Sequence, residues 1–168
     1  APNPCHAIPS DLTIGEWTAF QFNGPGSSWT LPGIASIEFQ FTTDVPAELQ
    51  VVDVVQSGDQ FQVFNFDQSL GITSAPVLGA TTVQYDVAFA DLAGRWSRGT
   101  YALQPGSYYI SGIAVAAPFA GGGTGGLRVV LRPDRGGNQV PEPATWALLI
   151  AVLGFAWQRL ASDQGKRY

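Results

Sequence analysis

Alternating hydrophobic and polar positions mark most of this chain as β-structure. The clearest alternation spans residues 37–42, where Ile37, Phe39 and Phe41 face one way and polar side chains the other. An irregular strand is predicted over residues 12–22, and further β-branched and aromatic runs lie at residues 49–55, 61–66, 96–103, 107–115 and 126–132. With turn residues between them, roughly seven to nine strands indicate a mainly β fold, an antiparallel β-sandwich of the jelly-roll or immunoglobulin type.

Turn residues refine this prediction. The turn at residues 57–59 predicts that the runs 49–55 and 61–66 form a hairpin, and one helical turn is expected near residues 87–92. The glycine-rich residues 121–126 fit a long flexible hairpin loop. They also match the spacing of a dinucleotide-binding motif, but a strand follows where that motif needs a helix. The alternative is that a partner backbone approaches these glycines closely.

The end of the chain follows a different pattern. Residues 144–157 carry no charge, and a helix over residues 143–161 would be roughly 28 Å long, close to the thickness of a hydrocarbon core. A helix that is apolar on every face favours lipid over a soluble core. The residues expected to anchor it in the bilayer are Trp146, Leu149, Leu153, Trp157 and Arg159. Ala147, Ala151 and Gly154 would allow close packing against other membrane helices.

Basic residues set the expected orientation. Arg159, Lys166 and Arg167 follow the span and none directly precedes it, so the C-terminus is expected in the cytoplasm and the domain on the periplasmic side of a single-pass membrane protein. The predicted organisation is an extended arm at residues 1–11, an external β-sandwich at 12–132, a flexible tether at 133–142, the membrane helix at 143–161 and a tail at 162–168. Because the chain lacks methionine, we expect that an export leader has been removed.

The net charge of the domain limits the classes of partner that it can bind. From Ala1 to Asp134 the chain has eleven acidic residues and four arginines, a net charge of −7. That sign argues against nucleic acid and against a domain lying flat on anionic lipid. Cys5 is the only cysteine, so no internal disulfide can form.

Few residues are candidates for a catalytic site or a metal site. Cys5 and His6 are adjacent but do not make a metal site by themselves, and a catalytic triad built on Ser97 would need that same His6. Seven carboxylates offer pairs for a glycosidase without singling one out: Asp44, Glu48, Asp53, Asp59, Asp67, Asp86 and Asp91. Asp53 differs because it interrupts a run of valines and needs a partner if it faces inward. Calcium held by Asp53, Asp59 and loop carbonyls is one interpretation.

Trp17, Trp29, Trp96 and the pair Tyr108–Tyr109 are expected in the core, with an interface as the alternative.

The tail resembles a known family. Residues 140–146, Val-Pro-Glu-Pro-Ala-Thr-Trp, followed by an apolar helix and basic residues, resemble the PEP-CTERM sorting tail of exported Gram-negative proteins. The body is similar to external domains that bear this tail, at Phe41, residues 46–49, Val51, Asp53, residues 58–61, 63–64, 69–71 and 73–74, and at Trp96, Ser97, Gly99, Leu103 and residues 105–106. The resemblance implies export, a β-sandwich, a sorting motif at Pro141, Glu142 and Pro143 recognised by an exosortase, and no catalytic residue.

The sequence therefore predicts a non-enzymatic accessory subunit that docks its β-sandwich and single helix onto a larger membrane protein complex, respiratory or photosynthetic. It predicts no cofactor, no nucleic acid and no small-molecule substrate. An exosortase-sorted surface or matrix protein is the first alternative, and a carbohydrate-binding sandwich is the second.

Overall fold

A computed structural model of the chain describes residues 7–132. Ten strands and one short helix follow in chain order: β1 (Ile8–Asp11), β2 (Thr18–Phe22), β3 (Ile37–Thr43), β4 (Ala47–Gln56), β5 (Gln60–Asn65), β6 (Gln68–Ile72), β7 (Thr81–Thr82), α1 (Tyr85–Ala90), β8 (Arg98–Leu103), β9 (Gly106–Ala116) and β10 (Gly123–Leu131).

Two sheets form the domain. The first sheet has the order β1-β3-β9-β5-β6, and the second has the order β2-β10-β4, with β8 and β7 pairing successively along the other edge of β4. Every pair is antiparallel except β1 with β3, which is parallel. The predicted mainly β sandwich is confirmed, and Ile8–Asp11 belongs to it as an edge strand.

The predicted hairpin between residues 49–55 and 61–66 is wrong. β4 lies in the second sheet and β5 in the first, so Ser57–Asp59 carries the chain from one sheet to the other. The two strands have the length and pattern of hairpin strands, but β4 pairs with β10 and β8 instead, and both are distant in sequence. β8 and β9, which Gln104 and Pro105 connect, divide between the sheets in the same way.

The main core lies between the sheets. As the alternation predicted, Ile37, Phe39 and Phe41 of β3 are buried, and Trp29 stacks on Phe20 with ring centroids 3.9 Å apart. The core also contains Leu12, Phe22, Ala47, Leu49, Val51, Phe61, Val63, Leu103, Ile110, Ala114, Leu127 and Val129. Such apolar burial is the main favourable term in folding.

A second, smaller core covers the outer side of β4. Val52 and Val54 pack with Ala88 and Trp96, and Trp17 and Phe89 lie at its edge. β4 is therefore buried on both faces, which explains why it carries an almost continuous run of valines rather than an alternation. The helical turn expected at residues 87–92 is present as α1, which begins two residues earlier.

Most of the glycines at residues 121–126 are not in a flexible loop. β10 begins at Gly123, and side chains at Gly125 and Gly126 would collide with the rings of Phe20 and Tyr85. These glycines serve close packing against aromatic side chains of the same chain, so the flexible-loop prediction is wrong from Gly123 onward. Gly121 and Gly122 form the turn before the strand, with φ of 95° and 79°.

Within residues 7–132 no helix is long and apolar enough to cross a membrane. The predicted tether, membrane helix and tail at residues 133–168 lie outside the described residues. So do Cys5, His6, the sorting motif, the anchor residues Trp146, Leu149, Leu153, Trp157 and Arg159, and the packing residues Ala147, Ala151 and Gly154.

Candidate functional site

The crossover between the sheets brings two carboxyl groups together inside the protein. Asp53 lies on the same side of β4 as Leu49 and Val51, so its side chain points into the main core and is fully buried. Asp59, just after the crossover, is also buried and is only 2% exposed. The sequence indicated that an inward-facing Asp53 would need a partner, and the structure supplies it from the crossover.

The hydrogen bonds of this carboxyl pair are uneven. Asp53 Oδ2 accepts the backbone N–H groups of Gly58 at 3.0 Å and Asp59 at 3.1 Å, and this fixes the tight turn. Within the part of the chain that the structure describes, Oδ1 of Asp53 and Oδ1 of Asp59 have no partner. Two buried oxygens are thus available to a proton, a water molecule or a ligand.

Burial changes the acidity of the pair. Desolvation, reinforced by the neighbouring charge of Asp59, raises the pKa of Asp53 to about 8, although the two backbone N–H groups act in the opposite direction. Desolvation also raises the pKa of Asp59, to about 6, and its hydrogen bond with Asp53 limits the rise. At neutral pH the two carboxyl groups therefore share about one proton, which removes much of the cost of burying like charges.

The metal-binding capacity of this pair is limited. No cluster of three or more His, Cys, Asp and Glu side chains suited to a metal occurs in residues 7–132. A hollow of about 80 Å³ does adjoin Asp59 and is also lined by Gly123 and Thr124. Calcium takes six to eight oxygen ligands, and the pair would supply only part of such a shell. The calcium site at Asp53 and Asp59 stays a prediction.

A second feature lies beside the smaller core. Eleven large hydrophobic side chains are exposed in the described part of the chain, and five of them belong to the segment between β6 and β8. The two most exposed are Leu92, at 93%, and Val83, at 75%. We call this set the apolar surface: Val77, Leu78, Val83, Val87 and Leu92.

The backbone of this segment is firmly held although its side chains are exposed. Ser57 of the crossover donates its hydroxyl hydrogen to the carbonyl of Val77 at 2.7 Å and accepts the N–H of Ala80 at 2.9 Å. The N–H of Val77 bonds to the carbonyl of Arg95 at 3.0 Å. The crossover segment Ser57–Asp59, which is hydrogen-bonded to Asp53, thus also holds the backbone at the start of the apolar surface.

Aromatic and charged side chains hold α1 in place. The guanidinium of Arg128 lies 4.4 Å from the ring centroid of Trp17 and 3.0 Å from a carboxylate oxygen of Asp86. Trp17 also donates its indole N–H to Asp86 at 3.0 Å and stacks on Tyr85. These contacts fix α1, and Val87 with it, on the second sheet.

Most of the remaining sequence candidates have structural roles. Ser97 is buried, donates a hydrogen bond of 2.5 Å to the carbonyl of Ser74 and lies 2.5 Å from the hydroxyl of Thr73. Asp86, Asp91 and Glu48 form ion pairs with Arg128, Arg95 and Arg132. Asp44 and Asp67 are exposed.

The aromatic candidates divide between core and surface. Trp29 and Trp96 are buried, as expected, whereas Trp17, Tyr108 and Tyr109 are half-buried.

The sequence pattern did not indicate the apolar surface. Its hydrophobic residues lie in an irregular stretch interrupted by Gly79 and without a strand period, so no pattern indicated which side chains would remain exposed. The available signal was the excess of valine and leucine in a segment too short and irregular to bury them.

No protein-family model matches this sequence, and no curated protein does. Among solved structures, the pre-peptidase C-terminal domain of a collagenase from Bacillus anthracis is similar, with a TM-score of 0.45 and 12% identity over 76% of this chain and 99% of that domain. The C-terminal CBM6 of LamC, a marine laminarinase from Zobellia galactanivorans, has a TM-score of 0.35 and 14% identity over 70% of this chain and 92% of that one. Structural similarity at this level of sequence identity concerns the type of fold alone and carries no argument about function.

Proposed function

We propose that this protein is a non-enzymatic accessory subunit of a bacterial membrane protein complex, docked through the apolar surface and anchored by its C-terminal segment. The observation that carries the proposal is the exposure of Val77, Leu78, Val83, Val87 and Leu92 within one segment. Soluble domains seldom expose apolar side chains in such a group unless a partner covers them.

The rigidity of the segment supports a preformed interface. The hydrogen bonds of Ser57 to Val77 and Ala80 fix its start, and Trp17 and Arg128 hold α1. A partner that binds a preformed surface pays little ordering entropy, so a modest apolar area gives useful affinity.

The apolar residues 144–157 support a partner located at a membrane. A helix there would keep the domain close to the external part of an integral membrane complex and raise its effective concentration. The non-enzymatic part of the proposal is supported by the structural roles of four side chains that could otherwise act in catalysis. Ser97 is bound in the core, and the acidic side chains of Asp86, Asp91 and Glu48 pair with arginines.

The test uses the full chain in native membranes. After gentle detergent solubilisation and size fractionation, we expect the intact chain to migrate in a stoichiometric assembly far larger than its own 17.8 kDa. Replacing Val83 and Leu92 by serine should release it from that assembly. Replacing Ile72 and Leu131, which are also exposed but lie outside the apolar surface, by serine should not.

Two results would overturn the proposal. One is a monomeric intact chain, together with a truncated form outside the cell, which would favour the sorted surface protein. The other is an assembly that the Val83 and Leu92 variant leaves unchanged.

A further inference from the structure

The outward face of the first sheet carries an open cleft of about 460 Å³. Its lining is mostly polar and includes Ser28, Ser36, Glu38, Phe64, Asp67 and Ser111. A second hollow of about 330 Å³ shares Glu38 and Asp67 with it, and a third of about 270 Å³ shares Tyr109 with the second. We call these three adjoining hollows the sheet groove. They lie at successive positions along β3 and β9, from Glu38 and Ser111 to Thr42 and Ser107, beside the β5–β6 turn and β1.

The charged side chains that line the sheet groove are all acidic. Glu38 and Asp67 line its centre, and Asp11 lines its far end. The four arginines of residues 7–132 are engaged elsewhere: Arg95, Arg128 and Arg132 pair with acidic residues, and Arg98 donates to the carbonyl of Phe89. The groove therefore offers hydrogen-bond acceptors and hydroxyls, which suits a ligand rich in O–H or N–H donors and repels acidic ligands.

One edge of the sheet groove carries a conformational outlier. β5 and β6 pair as far as Asn65 and Gln68, so Phe66 and Asp67 alone form the turn, and both have positive φ, 45° and 63°. Two-residue turns of this kind normally use Asn-Gly or Asp-Gly, and a bulky aromatic residue with positive φ is rare. Glycine at position 66 would relieve this strain. The presence of an aromatic residue there instead points to a function for its side chain.

The turn places an aromatic ring at the mouth of the groove. Phe66 is 54% exposed, and its ring centroid lies 4.8 Å from that of Tyr109, which lines two of the three hollows. The two rings are partly exposed and tilted by 49° to each other, so they present two adjacent apolar faces set at an angle, beside carboxylate and hydroxyl groups. A pyranose ring has the matching chemistry, with one apolar C–H face and hydroxyl groups around its edge.

We propose that the sheet groove binds an uncharged or amine-bearing glycan. The ring of Phe66 stacks on the apolar face of one sugar ring and Tyr109 contacts the edge of that ring. Glu38 and Asp67 accept hydrogen bonds from its hydroxyl or amine groups, and the serine hydroxyls contact the neighbouring sugar. The sheet groove is independent of the apolar surface. The groove lies on the outward face of the first sheet, whereas α1, which carries Val87 of the apolar surface, packs on the second sheet.

Titration calorimetry on the full chain in detergent tests this proposal. The probes are cellohexaose, a chitosan hexamer and, as the acidic counterpart, a galacturonate hexamer. We expect cellohexaose and the chitosan hexamer to bind, the chitosan hexamer more tightly because its amines pair with Glu38 and Asp67, and the galacturonate hexamer not to bind.

Three variants locate the site. Phe66→Asn removes the ring while suiting the positive φ, and it should weaken binding at least about tenfold without lowering the melting temperature. Glu38→Gln and Asp67→Asn should abolish the preference for the chitosan hexamer, and they decide the matter should Phe66→Asn fail to fold. Ile72→Ser, on the same hairpin but outside the groove lining, should bind as the unaltered chain does.

Absence of binding by both cellohexaose and the chitosan hexamer at millimolar concentration would overturn the proposal. So would equal binding of the galacturonate hexamer, or unchanged affinity in the folded Phe66→Asn, Glu38→Gln and Asp67→Asn variants. None of these results bears on docking through the apolar surface, which the membrane fractionation tests separately.

Discussion

Asp53 Oδ2 accepts the backbone N–H of Asp59 at 3.1 Å, so one acidic side chain fixes the turn that buries a second acidic side chain beside it. The turn is where the chain leaves the second sheet for the first. The acceptor geometry explains why a polar residue interrupts the valines of β4, because a valine at this position would leave the N–H groups of Gly58 and Asp59 without partners.

The carboxyl pair predicts an unusual pH dependence of stability. The pKa values of Asp53 and Asp59 are raised from 3.8 to about 8 and about 6. The folded protein thus binds protons more tightly than the unfolded chain, and this contribution is fully present below about pH 4 and is lost as the pH rises through the folded values. We expect the pair to lower the free energy of unfolding, measured by urea denaturation, between about pH 4 and 8.

Asp53→Asn should reduce that decline. The amide oxygen still accepts the N–H groups of Gly58 and Asp59, and no charge forms at position 53, so the variant should gain on the order of 1 to 3 kcal/mol at pH 8 relative to the unaltered chain, and little at pH 4.5. Asp44→Asn, at an exposed position, is the matched control and should leave the slope unchanged. Parallel pH profiles for the unaltered chain and Asp53→Asn would contradict the proton-sharing assignment.

Ser97 is predicted to contribute stability rather than chemistry. Ser97→Ala removes the bond to the Ser74 carbonyl and leaves the Thr73 hydroxyl with one partner fewer in a buried site. A loss of about 1 to 3 kcal/mol is expected in chemical denaturation. Thr100→Ala, an exposed position on β8, should change the free energy of unfolding by less than about 0.5 kcal/mol. Equal effects of the two substitutions would show that the buried hydroxyl pair does not matter.

Close packing at Gly112 gives a test of the core. A Cβ there would collide with the indole ring of Trp29, whereas a Cβ at Gly106, at the start of the same strand, would meet nothing closer than 3.8 Å. Gly112→Ala should therefore destabilise the protein by about 1 to 3 kcal/mol or more, and Gly106→Ala much less. Thermal unfolding followed by near-ultraviolet circular dichroism reports on both the stability and the packing of Trp29. Similar melting temperatures for the two variants would contradict this account.

The contact of Arg128 with Trp17 should stabilise α1 modestly. Arg128 is mostly buried, but Asp86 is 74% exposed, so their ion pair contributes little and the stacking on Trp17 contributes more. A double-mutant cycle with Arg128→Ala and Trp17→Ala should give a coupling of about 0.5 to 2 kcal/mol. Hydrogen exchange should show faster opening of α1 in Arg128→Ala, with protection of β3 and β9 unchanged. Additive effects would show that the two side chains act independently.

Sequence periodicity located most of the strands for a clear physical reason. A strand that is half-buried must alternate, as residues 37–42 do, and Ile37, Phe39 and Phe41 are indeed buried. The run of valines in β4 was visible as well, but its cause, a helix and Trp96 covering the outer face, was not. The hydrophobic pattern of a strand therefore indicates which of its faces are buried, but it does not indicate which other parts of the chain cover those faces.

Local pattern and composition were enough to predict a mainly β domain, a negative net charge, and the need of an inward-facing Asp53 for a partner. These properties depend on neighbouring residues or on composition alone. The tertiary structure decided that β4 and β5 belong to different sheets, because β4 pairs instead with strands far along the chain. That long-range choice brings Asp53 against Asp59, and the pairing of β5 with β9 places Phe66 beside Tyr109.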